Sequence, residues 1–135
     1  MPIVGFGFDK LHVERKEQFT KEDKLKNSIQ IDSVKETKLK TSDKTEADAI
    51  LILFSFRLEY GKAGDIDFKG HIIFYESEDK VKEIIDSWNK NKKMPGDFSA
   101  FIFNFILAKS NLKALELEEV VGLPLHLKLP KFRIK

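Results

Sequence analysis

The chain contains no cysteine, which excludes disulfides and zinc–thiolate sites at once. Arginine is scarce: Arg15, Arg57 and Arg133 are the three arginines among 24 basic residues. Long apolar runs are missing as well. The longest, residues 49–54 and 100–108, fall far short of the roughly 20 residues a membrane-spanning helix needs. The opening Met-Pro-Ile-Val has no basic-then-apolar leader, so no signal peptide is expected. A large excess of one charge is lacking too, and a net charge of +2 is too small to argue for a nucleic-acid partner. These absences predict a protein without a membrane partner, working in the cytoplasm. What remains is lysine and glutamate in abundance, with 34% charged and 41% hydrophobic residues over 135 positions. That is one domain, residues 1–135, with the composition expected of a cytosolic protein from a hot environment.

No catalytic constellation is visible, so no enzyme, no cofactor and no metal are expected. His12, His71 and His126 lie on different elements without ligand spacing, and read as solvated or partly buried histidines. Gly5-Phe-Gly lies inside a strand with no helix directly after it, unlike a phosphate loop. Asp65 and Asp67 flank a turn on a surface face, and Lys90, Lys92 and Lys93 complement a helix C-terminus.

Four strands and two helices are expected. The clearest signal runs from residue 50 to 75. Ile50, Ile52, Phe54, Phe56, Leu58 and Tyr60 alternate with less apolar residues, and Ile66, Phe68, Ile72 and Phe74 continue the pattern after a turn. This period of two defines two antiparallel strands, 49–60 and 64–75, with one face on a core. A three-residue loop, 61–63, sets Arg57 opposite Asp67 and Gly70 opposite Phe54; a five-residue loop would set Arg57 opposite Lys69, like charges face to face. Earlier strands are expected at 3–14 and 28–39. In the first, Val4, Phe6 and Phe8 share one parity, and Leu11 and Val13 the other, which predicts a β-bulge at residues 9–10. Ile29, Ile31 and then Val34 change parity in the same way. Gly5 and Gly7 leave the opposite face of the first strand bare, inviting close approach by another backbone.

Helices are expected at 78–91 and 97–112, on one sheet face. Ser77 is placed to cap the first, with Val81, Ile84, Ile85 and Trp88 at helical spacing. Pro95-Gly96 separates the two, Asp97 is placed to cap the second, and 115–121 reads as a further short helical turn. The tail from residue 123 alternates apolar and polar residues around two prolines and is expected to be extended.

The odd-numbered face of the hairpin is charged near the turn but becomes Leu51, Leu53, Ile73 and Tyr75 at the far end. A sheet apolar on both faces needs a cover there, so these four residues are the candidate client-binding surface. Phe103 and Leu107 lie opposite the main stripe of the second helix and, with Gly5 and Gly7, are candidates for an oligomer interface.

The order of elements resembles the SecB-like chaperone fold. In register with that family stand the aromatic hairpin with Phe74, the apolar helix 98–112, and Leu-Pro-Leu-His-Leu-Lys-Leu-Pro-Lys-Phe at 123–132. The opening Pro-Ile-Val-Gly-Phe-Gly-Phe is similar to the start of short archaeal relatives. The resemblance implies an α+β fold and a homo-oligomer, dimer or tetramer, that holds unfolded polypeptides in apolar grooves without ATP. The last helix and acidic tail of the bacterial protein-transport chaperones have no counterpart up to Lys135, so the resemblance does not extend to contact with their translocation motor. Two alternatives from other classes stand beside this reading: an RNA-binding protein, for which the candidate face is short of aromatic rings, and a purely structural homo-oligomer.

Overall fold

The computed structural model describes residues 3–40 and 46–127. Four strands, β1 (Ile3–Arg15), β2 (Leu25–Lys40), β3 (Glu46–Tyr60) and β4 (Gly64–Tyr75), form one antiparallel sheet in the order β1-β4-β3-β2. Helices α1 (Glu78–Asn91) and α2 (Gly96–Val121) follow. The even-numbered residues of β3 and β4 bury one sheet face under both helices; Ile50, Ile52, Phe54, Leu58, Tyr60, Ile66, Phe68, Ile72 and Phe74 are completely inaccessible. Two clusters make up the core. One joins Val34, Ile52, Phe74, Val81, Ile84, Phe98 and Ile102, and the other, nearer the hairpin turn, joins Phe56, Tyr60, Ile66, Phe68 and Ala114.

The β3–β4 register is the expected one, with Arg57 opposite Asp67, Phe54 opposite Gly70, and residues 61–63 between the strands. Ala63 N–H donates to the Tyr60 carbonyl (3.1 Å), and Gly61 supplies the positive φ of +60° that the turn requires. The bulge of β1 falls between Phe8 and Lys10, and that of β2 between Ile31 and Ser33. Each extra residue returns the ladder to its earlier facing, so Leu11 and Val13 stand opposite Phe68 and Ile66; Val13 packs on the core, whereas Leu11, on the edge strand, stays 47% exposed.

The structure corrects several boundaries. β2 begins at Leu25 rather than 28, because residues 25–27 continue the ladder opposite Tyr60, Glu59 and Leu58. β1 has a second irregularity between Ile3 and Gly5, so Ile3 packs on the core and Val4, expected on the buried face, is 46% exposed. The second helix is one 26-residue element from Gly96, not a helix over 97–112 followed by a separate turn. Its buried positions, Phe98, Ile102, Ile106, Ser110, Ala114 and Glu118, recur every four residues. Such a row is inclined to the helix axis, so α2 crosses the sheet obliquely and reaches both core clusters. Polar and small residues in the second half of that row hid its continuation. Ser77 does cap α1 by position, but neither helix has a side-chain cap bond, and Pro95 rather than Asp97 occupies the cap of α2. After Gly122, at φ +79°, residues 123–127 are neither helix nor strand. The tail expected beyond them, at 128–135, and part of the polar connection between β2 and β3 lie outside the described residues.

Candidate functional site

Two apolar surfaces flank the sheet. The first is the outer face, which neither helix covers. Leu51 stands opposite Ile73, Ala49 opposite Tyr75, and Leu53 opposite His71. The four expected client-binding residues, Leu51, Leu53, Ile73 and Tyr75, therefore form one contiguous patch, each half-buried by its neighbours. Gly5 and Gly7 on β1 border it, but their bare faces are occupied from within the chain. A Cβ on Gly5 would lie 3.2 Å from Ile73, and one on Gly7 3.0 Å from the His71 ring. Side chains of β4, not a second backbone, lean over them, and Asp9 Oδ1 lies 2.9 Å from Nδ1 of His71.

The second surface was not read from the sequence. A groove of about 630 Å3 runs between β2 and the junction of the helices, lined by Ile29, Ile31, Trp88, Met94, Ala100 and Phe103, with Lys92 and Lys93 at its rim. Lys92 takes a left-handed conformation (φ 56°), and its ammonium sits 5.6 Å from the centre of the Trp88 ring. β2 is an edge strand, so among the described residues its outer row of backbone N–H and C=O groups has no strand partner beside this groove. Phe103, expected at an oligomer contact, lines the groove instead of standing apart. Leu107 is half-buried, whereas the strongly exposed apolar residues of α2 are Leu112 (68%) and Val120 (74%). The parity of Ile29 and Ile31 and the Pro95-Gly96 break are both visible in the sequence. Their juxtaposition depends on β2 lying at the sheet edge, which no local pattern encodes.

Chemistry is concentrated elsewhere. At the hairpin end, Glu118 is completely buried and accepts a hydrogen bond from the Tyr60 hydroxyl. It also accepts from the His126 backbone N–H (3.0 Å), and His126 Nδ1 lies 2.8 Å from its other oxygen. Burial, and then the hydrogen bond to Glu118, hold the Tyr60 phenol well above its ordinary pKa. This cluster is enclosed and ties residues 123–127 to the body of the domain, a structural use of the histidine. Asp23, accepting from the backbone of Thr20 (2.9 Å) and Lys62 (3.2 Å), has its carboxyl lowered by those two bonds and fastens the β1–β2 connection to the hairpin turn. A third group, His12, Glu14 and Asp65, brings one imidazole and two carboxylates within 4.8 Å of one another. His12 and Glu14 share one face of β1, and the β1–β4 register alone brings Asp65 to them.

The fold is shared with a solved SecB-like chaperone of Mycobacterium tuberculosis, Rv1957, in complex with a ChAD peptide from the antitoxin HigA1. The superposition covers 98% of this chain and 89% of that one, with a TM-score of 0.58 and 13% sequence identity. No protein-family model matches the chain, and no curated protein matches it in sequence. The chain therefore has a SecB-like α+β fold. Among the described residues, no helix is long and apolar enough to cross a membrane.

Proposed function

We propose that the protein is a non-catalytic, ATP-independent holdase, a cytoplasmic oligomer that binds unfolded polypeptide. The observation that carries this reading is the groove beside β2, where an unpaired strand edge and apolar side chains lie together. An extended chain can add to such an edge through its backbone while alternate side chains, about 7 Å apart, enter the groove. Burying each large side chain contributes about 1.5–3 kcal/mol, so a few together reach micromolar affinity. The outer-face patch of Leu51, Leu53, Ile73 and Tyr75 is a second contact of the same kind. Its mainly aliphatic character fits polypeptide better than RNA, which needs rings for stacking. The SecB-like fold and the peptide bound to the M. tuberculosis chaperone support the reading without deciding it.

Two sets of substitutions separate the surfaces. Ala100→Glu places a charge in the groove from an exposed position, and Leu53→Ser with Ile73→Ser makes the outer patch polar. Each is expected to weaken binding of an unfolded test protein about tenfold, with thermal unfolding moved by no more than about 5 °C. If the unmodified protein delays aggregation of no unfolded protein, the holdase reading fails.

Exposed Leu112 and Val120, with Phe101 and Leu107, make α2 the proposed subunit contact. Light scattering at micromolar concentration is expected to return a multiple of the 15.6 kDa chain mass. A monomer would remove both the contact and the oligomeric part of the reading.

A further inference from the structure

On the outer face, at the hairpin end of the sheet, Glu14 of β1 stands opposite Asp65 of β4, and Asp65 stands opposite Glu59 of β3. Three carboxylates thus follow one another across three strands, an arrangement that like-charge repulsion disfavours. Glu59 is accounted for: Arg57 Nε lies 3.0 Å from its Oε1, and Lys26 stands opposite it on β2. Asp67, one pair further along, has the Lys10 ammonium at 3.4 Å. Glu14 and Asp65 have no such partner among the described residues except His12, whose Nε2 is 3.7 Å from Glu14 Oε2 and 3.6 Å from Asp65 Oδ2.

We propose that His12, Glu14 and Asp65 form a binding site for a divalent transition metal of the zinc class. A tetrahedral ion with bonds of about 2.0–2.1 Å keeps its ligand atoms about 3.4 Å apart. The two distances from His12 Nε2 are within a few tenths of an ångström of that spacing before any ion draws the side chains in. His12 and Glu14 are two residues apart in one strand, so both project from the same face. The ladder between β1 and β4 is regular from Lys10 to Arg15, which gives the three side chains a fixed base. The site opens to solvent, with His12 and Glu14 about half exposed, so an ion can enter and water can complete its coordination. The ligand set defines the ion. Two carboxylates alone suit magnesium or calcium, whereas an imidazole nitrogen favours zinc, nickel or copper. A bound dication neutralises the Glu14–Asp65 pair and joins β1 to β4 beyond the bulge. The site is far from the apolar groove and does not depend on the chaperone reading.

The test uses the full, untagged chain and the metal alone. Equilibrium dialysis against Zn2+, with Co2+ absorption as a reporter of coordination, is expected to give one ion per chain, and excess Mg2+ is expected not to compete. His12→Ala and Asp65→Asn should each weaken Zn2+ binding about tenfold or more. Two controls should bind as the parent does: Glu59→Gln, in the same row of carboxylates, and His71→Gln, at the other histidine–carboxylate pair on this face. No saturable Zn2+ binding overturns the proposal. So does binding that survives His12→Ala unchanged, or that is lost equally in the two controls. Circular dichroism of each variant confirms that the comparison is between folded proteins.

Discussion

Glu118→Ala is expected to cost about 3–5 kcal/mol of folding stability, the range for removing one partner of a buried charged network. The side chain is completely inaccessible, and the His126 side chain is 1% exposed. Tyr60, the His126 backbone and the His126 ring all converge on the Glu118 carboxylate, and His126 Nε2 lies 2.9 Å from Asn111 Oδ1. Truncation leaves a hydroxyl, an amide and an imidazole nitrogen buried without partners, and each loses the water it had in the unfolded chain. Glu118→Gln, which retains an acceptor, should be much less damaging. Tyr60→Phe should cost about 1–2 kcal/mol, the loss of one hydrogen bond. Urea unfolding of the four proteins measures all of this, and a Glu118→Ala cost below about 1 kcal/mol would contradict the network's role.

The same cluster dictates an alkaline response. The Tyr60 pKa is raised in the folded protein, so its contribution is complete below the unfolded phenol's pKa of about 10 and is lost as pH rises above that value. There the unfolded chain ionises its phenol and the folded one cannot. Above pH 10 the parent should therefore lose stability faster than Tyr60→Phe, by up to about 1.4 kcal/mol per pH unit. Parallel alkaline limbs for the two proteins would count against it.

Gly70→Ala is expected to cost about 3 kcal/mol through overpacking. Gly70 is buried in β4 between Phe54 on β3 and Phe8 on β1. A Cβ there would lie 2.6 Å from the Gly7 carbonyl oxygen and 2.6 Å from the Phe54 ring, with backbone on one side and an aromatic core on the other. Phe54 has little room to retreat, since it stacks on Phe6 at 6.0 Å and meets Phe8 at 6.3 Å. Phe6 in turn meets Phe105 of α2 at 5.3 Å, so the strain reaches the helix layer. Shortening the ring should relieve part of it. Phe54→Leu is expected to cost about 1 kcal/mol less in the Gly70→Ala background than alone, a coupling that a double-mutant cycle measures. Strict additivity would mean that the methyl group is accommodated elsewhere.

Local patterns carried most of the architecture. Period-two alternation defined β3 and β4, and the charges of Arg57, Asp67 and Lys69 selected their register, because one register pairs opposite charges and the other opposes like ones. The parity switches at Phe8–Leu11 and Ile31–Val34 placed both bulges, since a buried face leaves one register open to the following residues. Helix α2 was legible only in its first half. Phe98, Ile102 and Ile106 advertise a buried face, whereas Ser110, Ala114 and Glu118 do not, although all six are buried. Glu118 can be buried only because Tyr60, 58 residues away in sequence, and His126, beyond the helix end, converge on it.

The candidate surfaces divide along the same line. Leu51, Leu53, Ile73 and Tyr75 were placed together by the hairpin alone, because two strands joined by a short turn have no freedom to bring other residues opposite. The groove of Ile29, Ile31, Trp88 and Phe103 and the cluster of His12, Glu14 and Asp65 required the strand order β1-β4-β3-β2 and the path of the helices across it. Alternation and helical spacing report which side of an element is buried, and they act over a few residues. Which elements become neighbours is decided by the packing of the whole chain, where contacts span tens of residues and no single segment holds the information.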